Sequence, residues 1–559
     1  MKRNELSISL VAVYSSHYPS IGESHCLSVL AGVIREWLEK TVISLNIFDM
    51  VAAGHDSIKD LENFLRQNAP NILGISAGYG TYDFIYSNFK YIREAVGNDC
   101  WIVFGGPLAT YIPHMLFQIT DQNTFFVIGE GEVPFFDLVN AWLMNRRDSN
   151  LPGVVTKDGG LGNMCRRNLT DLGSLPAPYR DHVPDLYKQG AQIFSETSRG
   201  CSWSNCSFCL RGLTDIKGVG SEYRSFKEER ILSDLRLLMS KKIRSITFAD
   251  EDFLGIELKR FEFTTRVLEK VQNISDGSFG FDISSMPDSI YSERMSHDEV
   301  QNRVELLRKL KSHGLRKIFL GIESGSESQL KRLNKRHTSK EAIRCIQTVR
   351  DIGIDFEIGW IMLDPLCSME ELRENVRFLQ ENRLAGYASN PFNELRLQCN
   401  TSFHESLLRH ESKYNCRLID KDFDPNVLSY SYGYFYKEVS LIKDVLRVWT
   451  KEMRPIHYPL KNLSRYGSEG LLGKLAKDIQ VILFNLRTEL VNSFSDLLTS
   501  VQSNSNAIPN VVNDNFRISL KQCALNSFEV LRDSNSGIRE HPAVNDFLNY
   551  VKIKFIDMH

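Results

Sequence analysis

The chain is 559 residues long, with 42% apolar and 24% charged side chains: an ordinary globular composition on more residues than one core organises, so two or three domains are expected. Its 67 basic and 69 acidic residues leave a formal charge of -2, which excludes the molecule-wide positive field of a nucleic-acid or anionic-membrane binder. The N-terminal MKRNELSISLVAVYSS is too short and interrupted for a signal core, and no apolar run approaches the ~18 residues of a membrane span, so a cytoplasmic location is expected.

From Ser7 to about Trp142 short apolar runs alternate with amphipathic stretches. Residues 9–14, 42–48, 71–76, 101–106 and 124–130 are almost continuously apolar, as parallel strands buried on both faces are. CLSVLAGVIREWLEK, FIYSNFKYIREAV and VPFFDLVNAWLMNR read as helices. The alternation predicts an α/β, doubly wound, Rossmann-like parallel sheet over residues 1–150. Turn-rich DGGLGNM (158–164) and SLPAPYRDHVPDLY (174–187) close this unit, and residues 151–190 read as a linker.

A second series occupies residues 191–400, with strands expected at 191–200, 245–250, 279–284, 317–324, 356–363 and 393–398. Capping boxes are expected where Ser225 precedes Glu228, Ser326 precedes Gln329, Thr338 precedes Glu341 and Ser368 precedes Glu371. Six βα repeats predict a partial (βα)6, TIM-like barrel whose site lies at the C-terminal strand ends. Residues 401–559 read as a mainly helical C-terminal region, with SVQSNSNAIPNVVNDN (500–515) as a polar loop.

Directly after the first barrel strand, ETSRGCSWSNCSFC sets Cys201, Cys206 and Cys209 within nine residues; the other eight of the eleven cysteines lie singly and read as small buried side chains. Structural zinc normally takes four ligands, and no second Cys or His pair follows nearby. A redox dithiol needs only C-x-x-C and leaves Cys201 without a role. An iron-sulfur cluster with one iron open to a small molecule uses all three.

In the first unit, Gly105-Gly106-Pro107 ends the fourth strand, Gly129-Glu130-Gly131-Glu132 ends the fifth, and Ser76-Ala-Gly-Tyr79 follows the third. Either glycine motif alone is ordinary βα-turn chemistry; together they make a rim of small residues along one sheet edge, where such sheets bind ligands. This pattern resembles the N-terminal domain of cobalamin-dependent radical S-adenosylmethionine (radical SAM) enzymes. The resemblance implies a cobalamin site at Ser76, Gly105, Gly106, Pro107, Gly129, Glu130 and Gly131. The Asp-x-His-x-x-Gly motif of other cobalamin proteins is absent, Ser15 standing two before His17, which implies a cobalt lower face without a histidine ligand.

The thiol loop resembles the radical SAM cluster loop, in which three cysteines hold a 4Fe-4S cluster and S-adenosylmethionine chelates the fourth iron. Here five positions rather than four separate the first two cysteines. The resemblance puts Phe208 beside the adenine, Glu323 of GIESGS on the ribose and Lys335 of LNKR on the methionyl carboxylate. A carboxylate accepting ribose hydroxyls and an ammonium pairing with a carboxylate are sound chemistry; within KRLNKR, Lys335 also reads as a solvated helix-end cation. ITFADEDFLG stands where the family often has glycines that bind the methionyl amino group, so Asp250 and Glu251 are candidates there, with solvated turn acids as the plain alternative. IGWIMLDP (358–365) resembles the family's adenine-side strand.

The family reductively cleaves S-adenosylmethionine to methionine and a 5'-deoxyadenosyl radical, and methylating members pass a methyl group from cobalamin to an unactivated carbon. The resemblance therefore implies a methyltransferase for a natural-product, peptide or lipid-like substrate, reduced by a donor such as flavodoxin or ferredoxin, with the helical region after residue 400 as a further wall of the substrate space. Two alternatives stay open: rearrangement or oxidative cyclisation with the same cofactors, and a zinc-stabilised, non-catalytic cobalamin or metabolite sensor. No residue is singled out as the catalytic acid or base.

Overall fold

The structure is a computed structural model that describes residues 5–14, 22–38, 42–50, 52–146, 151–159, 171–210, 223–275, 277–464, 473–503, 510–534, 539 and 542–557. The first sheet contains β1 (Glu5–Ala12), β2 (Val42–Asp49), β3 (Ile72–Ser76), β4 (Trp101–Gly105), β5 (Thr124–Val127) and β6 (Val154–Thr156), in the spatial order 2-1-3-4-5-6. The first five are parallel and β6 is antiparallel to β5. Helices α1 (His25–Trp37), α2 (Ile58–Asn68), α3 (Tyr82–Val96) and α4 (Glu132–Leu143) cover it. Alternate strand residues feed two cores: Ile75, Phe104 and Phe126 pack under α2 and α3, whereas Leu10, Val103 and Phe125 pack under α1 and α4. A sheet buried on both faces explains the continuous apolar runs. Chain order reverses between β1 and β3, which opens a crevice at their C-terminal ends.

The second sheet runs β7 (Phe194–Ser195), β10 (Ser245–Phe248), β11 (Gly280–Ser285), β12 (Leu315–Glu323) and β13 (Asp355–Trp360), all parallel. Between β7 and β10 lie the two-residue strands β8 (Ser198–Arg199) and β9 (Arg224–Ser225), which pair with each other. α5 (Glu228–Ser240), α6 (Leu258–Ser275), α7 (His297–Ser312), α8 (Glu327–Arg332), α9 (Ser339–Ile352) and α10 (Met369–Glu381) follow the strands. Reciprocal capping boxes form at Thr338 with Glu341 and at Ser368 with Glu371. Ser326 caps α8 without a side-chain bond, and Ser225 lies in β9, leaving the α5 cap position to Lys227.

Three features depart from the sequence reading. The sixth barrel strand, expected at 393–398, shrinks to one parallel bridge between Leu363 and Glu394, with the Leu395 amide donating to the Leu363 carbonyl at 2.8 Å. Beyond it Leu395 and Leu397 bury with Phe403 and Leu407 of α11 (Ser402–Tyr414), which draws the chain off the barrel. β14 (Leu397–Gln398) instead joins β15 (Ile419–Asp424) and β16 (Ser429–Tyr432) in a small antiparallel sheet inside the region read as helical. β15 reads IDKDFD, a charged edge strand without the alternation that marks a half-buried one. Third, β6 comes from the segment read as linker.

Helices α12 (Lys437–Leu463), α13 (Gly473–Ser503), α14 (Asn510–Arg532) and α15 (Pro542–Val551) complete the chain. Helix extends to Ser503 and resumes at Asn510, so only residues 504–509 of the expected polar loop remain, and they lie outside the described residues, as does DGGLGNM beyond Gly159. α13 packs beside β13 at Ala385–Tyr387, where a Cβ on Gly386 would stand 2.2 Å from the Phe484 ring. The late helices thus close the barrel's open side.

Candidate active site

The thiol loop is set by bonds at both ends. Before it, Asp250 accepts from the Thr197 amide at 3.0 Å and from the Thr197 and Ser198 hydroxyls at 2.5 Å each, and Arg260 stands 3.5 Å away. Glu251 accepts the Gly200 amide at 3.1 Å. Asp252 takes the Ser202 hydroxyl, with Ser285 Oγ at 2.8 Å behind it. The acidic run ADED is therefore a frame that positions the chain entering Cys201. After it, the Ser207 amide and hydroxyl donate to the carbonyls of Leu333 and Arg332 at 2.9 Å each, and Trp203 Nε1 donates to the Asn334 carbonyl at 2.8 Å.

Cys201, Cys206 and Cys209 are partly buried, and none of the three is in a disulfide. Burial pushes Cys201 up to about 12, with Asp252 adding to it, and Cys206 up to about 11, so a bound cation is what would hold them as thiolates. Among the described residues no three Cys, His, Asp or Glu side chains converge on a point that one metal ion could occupy. The donor set is all thiol, which suits iron and sulfide.

Inside the barrel, Lys335 Nζ lies 3.6 Å from Glu323 Oε1, both side chains largely buried. Burial opposes the charge on Lys335, but Cys206, Glu323 and Asp288 beside it raise its pKa overall. Glu323 ends β12 at a register shift with φ of 67°, a left-handed conformation that a non-glycine residue holds only under constraint. Its carboxylate lies against two glycines: a Cβ on Gly359 would stand 3.2 Å from Oε2, and one on Gly321 would stand 3.2 Å from Oε1. The space beside this carboxylate exists because neither residue has a side chain. Phe208 packs with Leu333, Ile361 and Leu395, facing the strand read as the adenine side.

Above the loop, a cavity of about 480 Å³ separates the C-terminal edge of the first sheet from the barrel mouth, within the usual range for small-molecule sites. Ser76, Gly105, Gly106, Pro107, Gly129, Glu130 and Gly131 all line one side; Ser198, Arg199, Gly200, Ala249, Glu251 and Leu210 line the other. It descends past Leu10, Val103 and Phe135 to Gly74, between the sheet and helices α1 and α4. A Cβ on Gly105 would meet nothing within 4 Å, so this floor is open backbone. The cavity collects every sheet-edge residue singled out above, and Glu251 but not Asp250 among the acidic pair.

Sequence reasoning missed the charges that join the modules. Arg199 contacts Glu132 at 2.6 Å, Glu196 at 3.0 Å and Glu130 at 3.4 Å, while Arg224 contacts Glu130 at 2.8 Å. His25 and Cys26 also line the cavity, at the start of α1. The His25 ring nitrogens lie 3.7 Å from Glu23 and 3.9 Å from Glu196; burial opposes protonation, but the two carboxylates raise its pKa overall. The only local signal was Ser-His-Cys at a helix start after β1. Of the region after residue 400, Asn426 touches the first domain near the cavity, as Gln398 does just before that region, whereas the later helices pack against the barrel's side and far end.

Residues 195–379 match the model of the radical SAM superfamily. Over 368 residues, 63% of this chain, the sequence is 26% identical to 4'-phospho-dehydrooxetanocin synthase of Priestia megaterium, of whose length the match spans 48%. The chain thus spans about half of that relative. It is 25% identical over 364 residues to an uncharacterized methyltransferase of Pyrococcus horikoshii, covering 64% of this chain and 72% of that one. The fold is similar to that of the cobalamin-dependent S-adenosylmethionine radical enzyme OxsB, solved with aqua-cobalamin and S-adenosylmethionine, at a TM-score of 0.75 and 20% identity, over 98% of this chain and 84% of that one. It is also similar to the radical S-adenosylmethionine methyltransferase TsrM of Kitasatospora setae, at 0.62 and 15%, over 86% and 99%.

Proposed function

We propose that this chain, which carries a radical SAM domain over residues 195–379 in a fold similar to that of cobalamin-dependent radical enzymes, methylates an unactivated carbon of a natural-product, peptide or lipid-like substrate. The observation that carries the reading is one cavity bounded by the thiol-loop flanks on one side and the glycine-rich sheet edge on the other. When bound, a 4Fe-4S cluster supplies the electron that cleaves S-adenosylmethionine, and cobalamin supplies the methyl group.

In this reading Cys201, Cys206 and Cys209 hold the cluster. Lys335 pairs with the methionyl carboxylate and Glu323 accepts from the ribose hydroxyls in the space left by Gly321 and Gly359. Gly105, Gly106 and Gly129 let a flat ring approach the sheet edge, and the apolar descent toward Gly74 suits an aromatic appendage of that ring. The Arg199 and Arg224 ion pairs close the modules around the substrate and exclude water.

A second reading keeps both cofactors without methyl transfer, and the similarity to 4'-phospho-dehydrooxetanocin synthase, by its name a synthase, favours retaining it. Product mass separates the two, because transfer to carbon adds a methylene unit. The primary test is the anaerobic absorption and electron paramagnetic resonance spectrum of the chain reconstituted with iron, sulfide and cobalamin. A cluster signal lost in Cys201→Ala/Cys206→Ala/Cys209→Ala, with base-off cobalamin retained, is expected. Stoichiometric zinc without a cluster sinks the reading; a cluster without cobalamin removes methyl transfer by this route.

A further inference from the structure

Resting on that reading, we propose that the electron enters through a basic patch around Trp203, Asn205 and Asn334, where an acidic-faced protein carrier docks. The loop between the first two thiols reaches solvent there: Asn205, next to Cys206, is exposed, as is Asn334. The two are joined, since Asn334 Nδ2 donates to the Asn205 carbonyl at 2.6 Å and Trp203 donates to the Asn334 carbonyl. Ser204 and Asn334 both have left-handed backbones, at φ of 51° and 52°, so two tight turns abut and hold this stretch outward.

The charges around it are sorted. Of the four cations in KRLNKR, Arg332 turns in to Asp364 at 2.7 Å and Glu371 at 2.9 Å, and Lys335 turns in to Glu323. Lys331 is exposed, and the Arg336 guanidinium lies 5.6 Å over the Trp203 ring with 29% of its side chain accessible. Arg294 joins from the loop after β11, 51% accessible, donating to the Arg336 carbonyl at 3.0 Å. The counter-ion of both arginines, Asp288, is 1% exposed and lies beneath them, so the surface presents cations while the acid is hidden. Exposed Glu293 and Glu327 flank the patch; Glu327 is engaged by the Ser339 amide and hydroxyl. On the opposite side of the loop the first sheet covers the cavity, which leaves this face for a protein donor. Redox encounters are small interfaces, below about 1,200 Å², and steered by complementary charge, so a patch of this extent suffices. One electron leaves the carrier's reduced flavin and enters the thiolate-held cluster; no bond forms or breaks at this surface.

The test uses the full chain, reconstituted, with flavodoxin as the acidic carrier. Lys331→Glu/Arg294→Glu is compared with wild type and with Lys59→Glu/Lys90→Glu, an equal charge change on α2 and α3 of the first domain. Binding of oxidised flavodoxin is followed by calorimetry, and cluster reduction by stopped flow with reduced flavodoxin or titanium(III) citrate. At low ionic strength the patch variant is expected to bind and be reduced by flavodoxin about tenfold more weakly and slowly, the gap closing in high salt. Its reduction by titanium(III) and the behaviour of the first-domain variant are expected to match wild type. Equal flavodoxin binding and reduction in the patch variant and wild type overturn the docking site, as does an equal loss with titanium(III) or in the first-domain variant. A wild-type chain that carries a cluster yet neither binds nor is reduced by flavodoxin also overturns it. A wild-type chain that assembles no cluster overturns the reading beneath it as well.

Discussion

Gly105 and Gly106 are neighbours with opposite requirements. At Gly106, φ of 91° and a Cβ 3.1 Å from the Ala77 carbonyl oxygen forbid a side chain for reasons internal to the fold. At Gly105 a Cβ meets nothing in the chain, so only a ligand lying on the sheet edge would exclude it. Gly106→Ala is expected to lose about 1–3 kcal/mol of stability in urea titrations. Gly105→Ala is expected to melt within about 0.5 kcal/mol of wild type while binding cobalamin about tenfold more weakly by absorbance titration. Unchanged cobalamin affinity in Gly105→Ala removes that edge from the site. At Gly359 the argument differs, because an added Cβ would press within 3.1 Å of the Phe319 ring and 3.2 Å of a Glu323 carboxylate oxygen and so displace the side chain read as the ribose acceptor. Gly359→Ala should therefore weaken S-adenosylmethionine in equilibrium binding by about tenfold or more and leave the cluster spectrum intact. Loss of the cluster instead would mean that this position supports the loop and not the ligand.

Among the elements, α3 depends on a distant residue for its start. Its own N-cap, Thr81, makes no side-chain cap bond; instead Asn426 Oδ1 accepts from the Asp83 amide at 3.2 Å and the Asn426 carbonyl accepts from Gly80 at 2.7 Å. Asn426→Ala is expected to cost about 0.5–2 kcal/mol, the usual value of a lost cap, with protection of the first α3 amides falling in hydrogen exchange while those of α2 are unaffected. A cap supplied from more than 300 residues away is invisible to any local pattern. The features legible in the sequence were those whose cause is local: buried parallel strands, two of the capping boxes, the thiol spacing and the glycines at strand ends. β15, with charges on a sheet edge, and the sixth barrel repeat, drawn away by Leu395 and Leu397, take their form from partners far along the chain. The same holds for Arg199 and Arg224: as single basic residues near a cysteine loop they carry no signal until Glu130 and Glu132 of the other module are brought opposite them.

On the scale of the whole molecule, Arg180 ties the modules together from the segment between them. Fully buried, it donates to Glu23 of the first unit at 2.7 Å, to Asp234 of α5 at 2.9 Å and to the Phe194 carbonyl of β7 at 2.8 Å. Burial pulls the Glu23 carboxyl upward, but Arg180, with His25 and the Phe194 amide, holds it at about 2; Asp234 is depressed in the same way. A carboxyl whose folded pKa lies below its ordinary value contributes stability above that ordinary value and loses it as the pH falls toward the folded one. For Glu23 the window runs from 4.5 down to about 2. Arg180→Met leaves two buried carboxylates without their cation, which costs about 3–5 kcal/mol at neutral pH. Because those carboxyls then take up protons within the fold, the deficit is expected to narrow as the pH falls through 4.5, while wild type itself becomes less stable. Urea midpoints of both proteins across that range would show converging lines. Parallel lines would mean that the triad holds the modules by shape and hydrogen bonding alone, and that the alignment of sheet edge and barrel mouth does not depend on its charge.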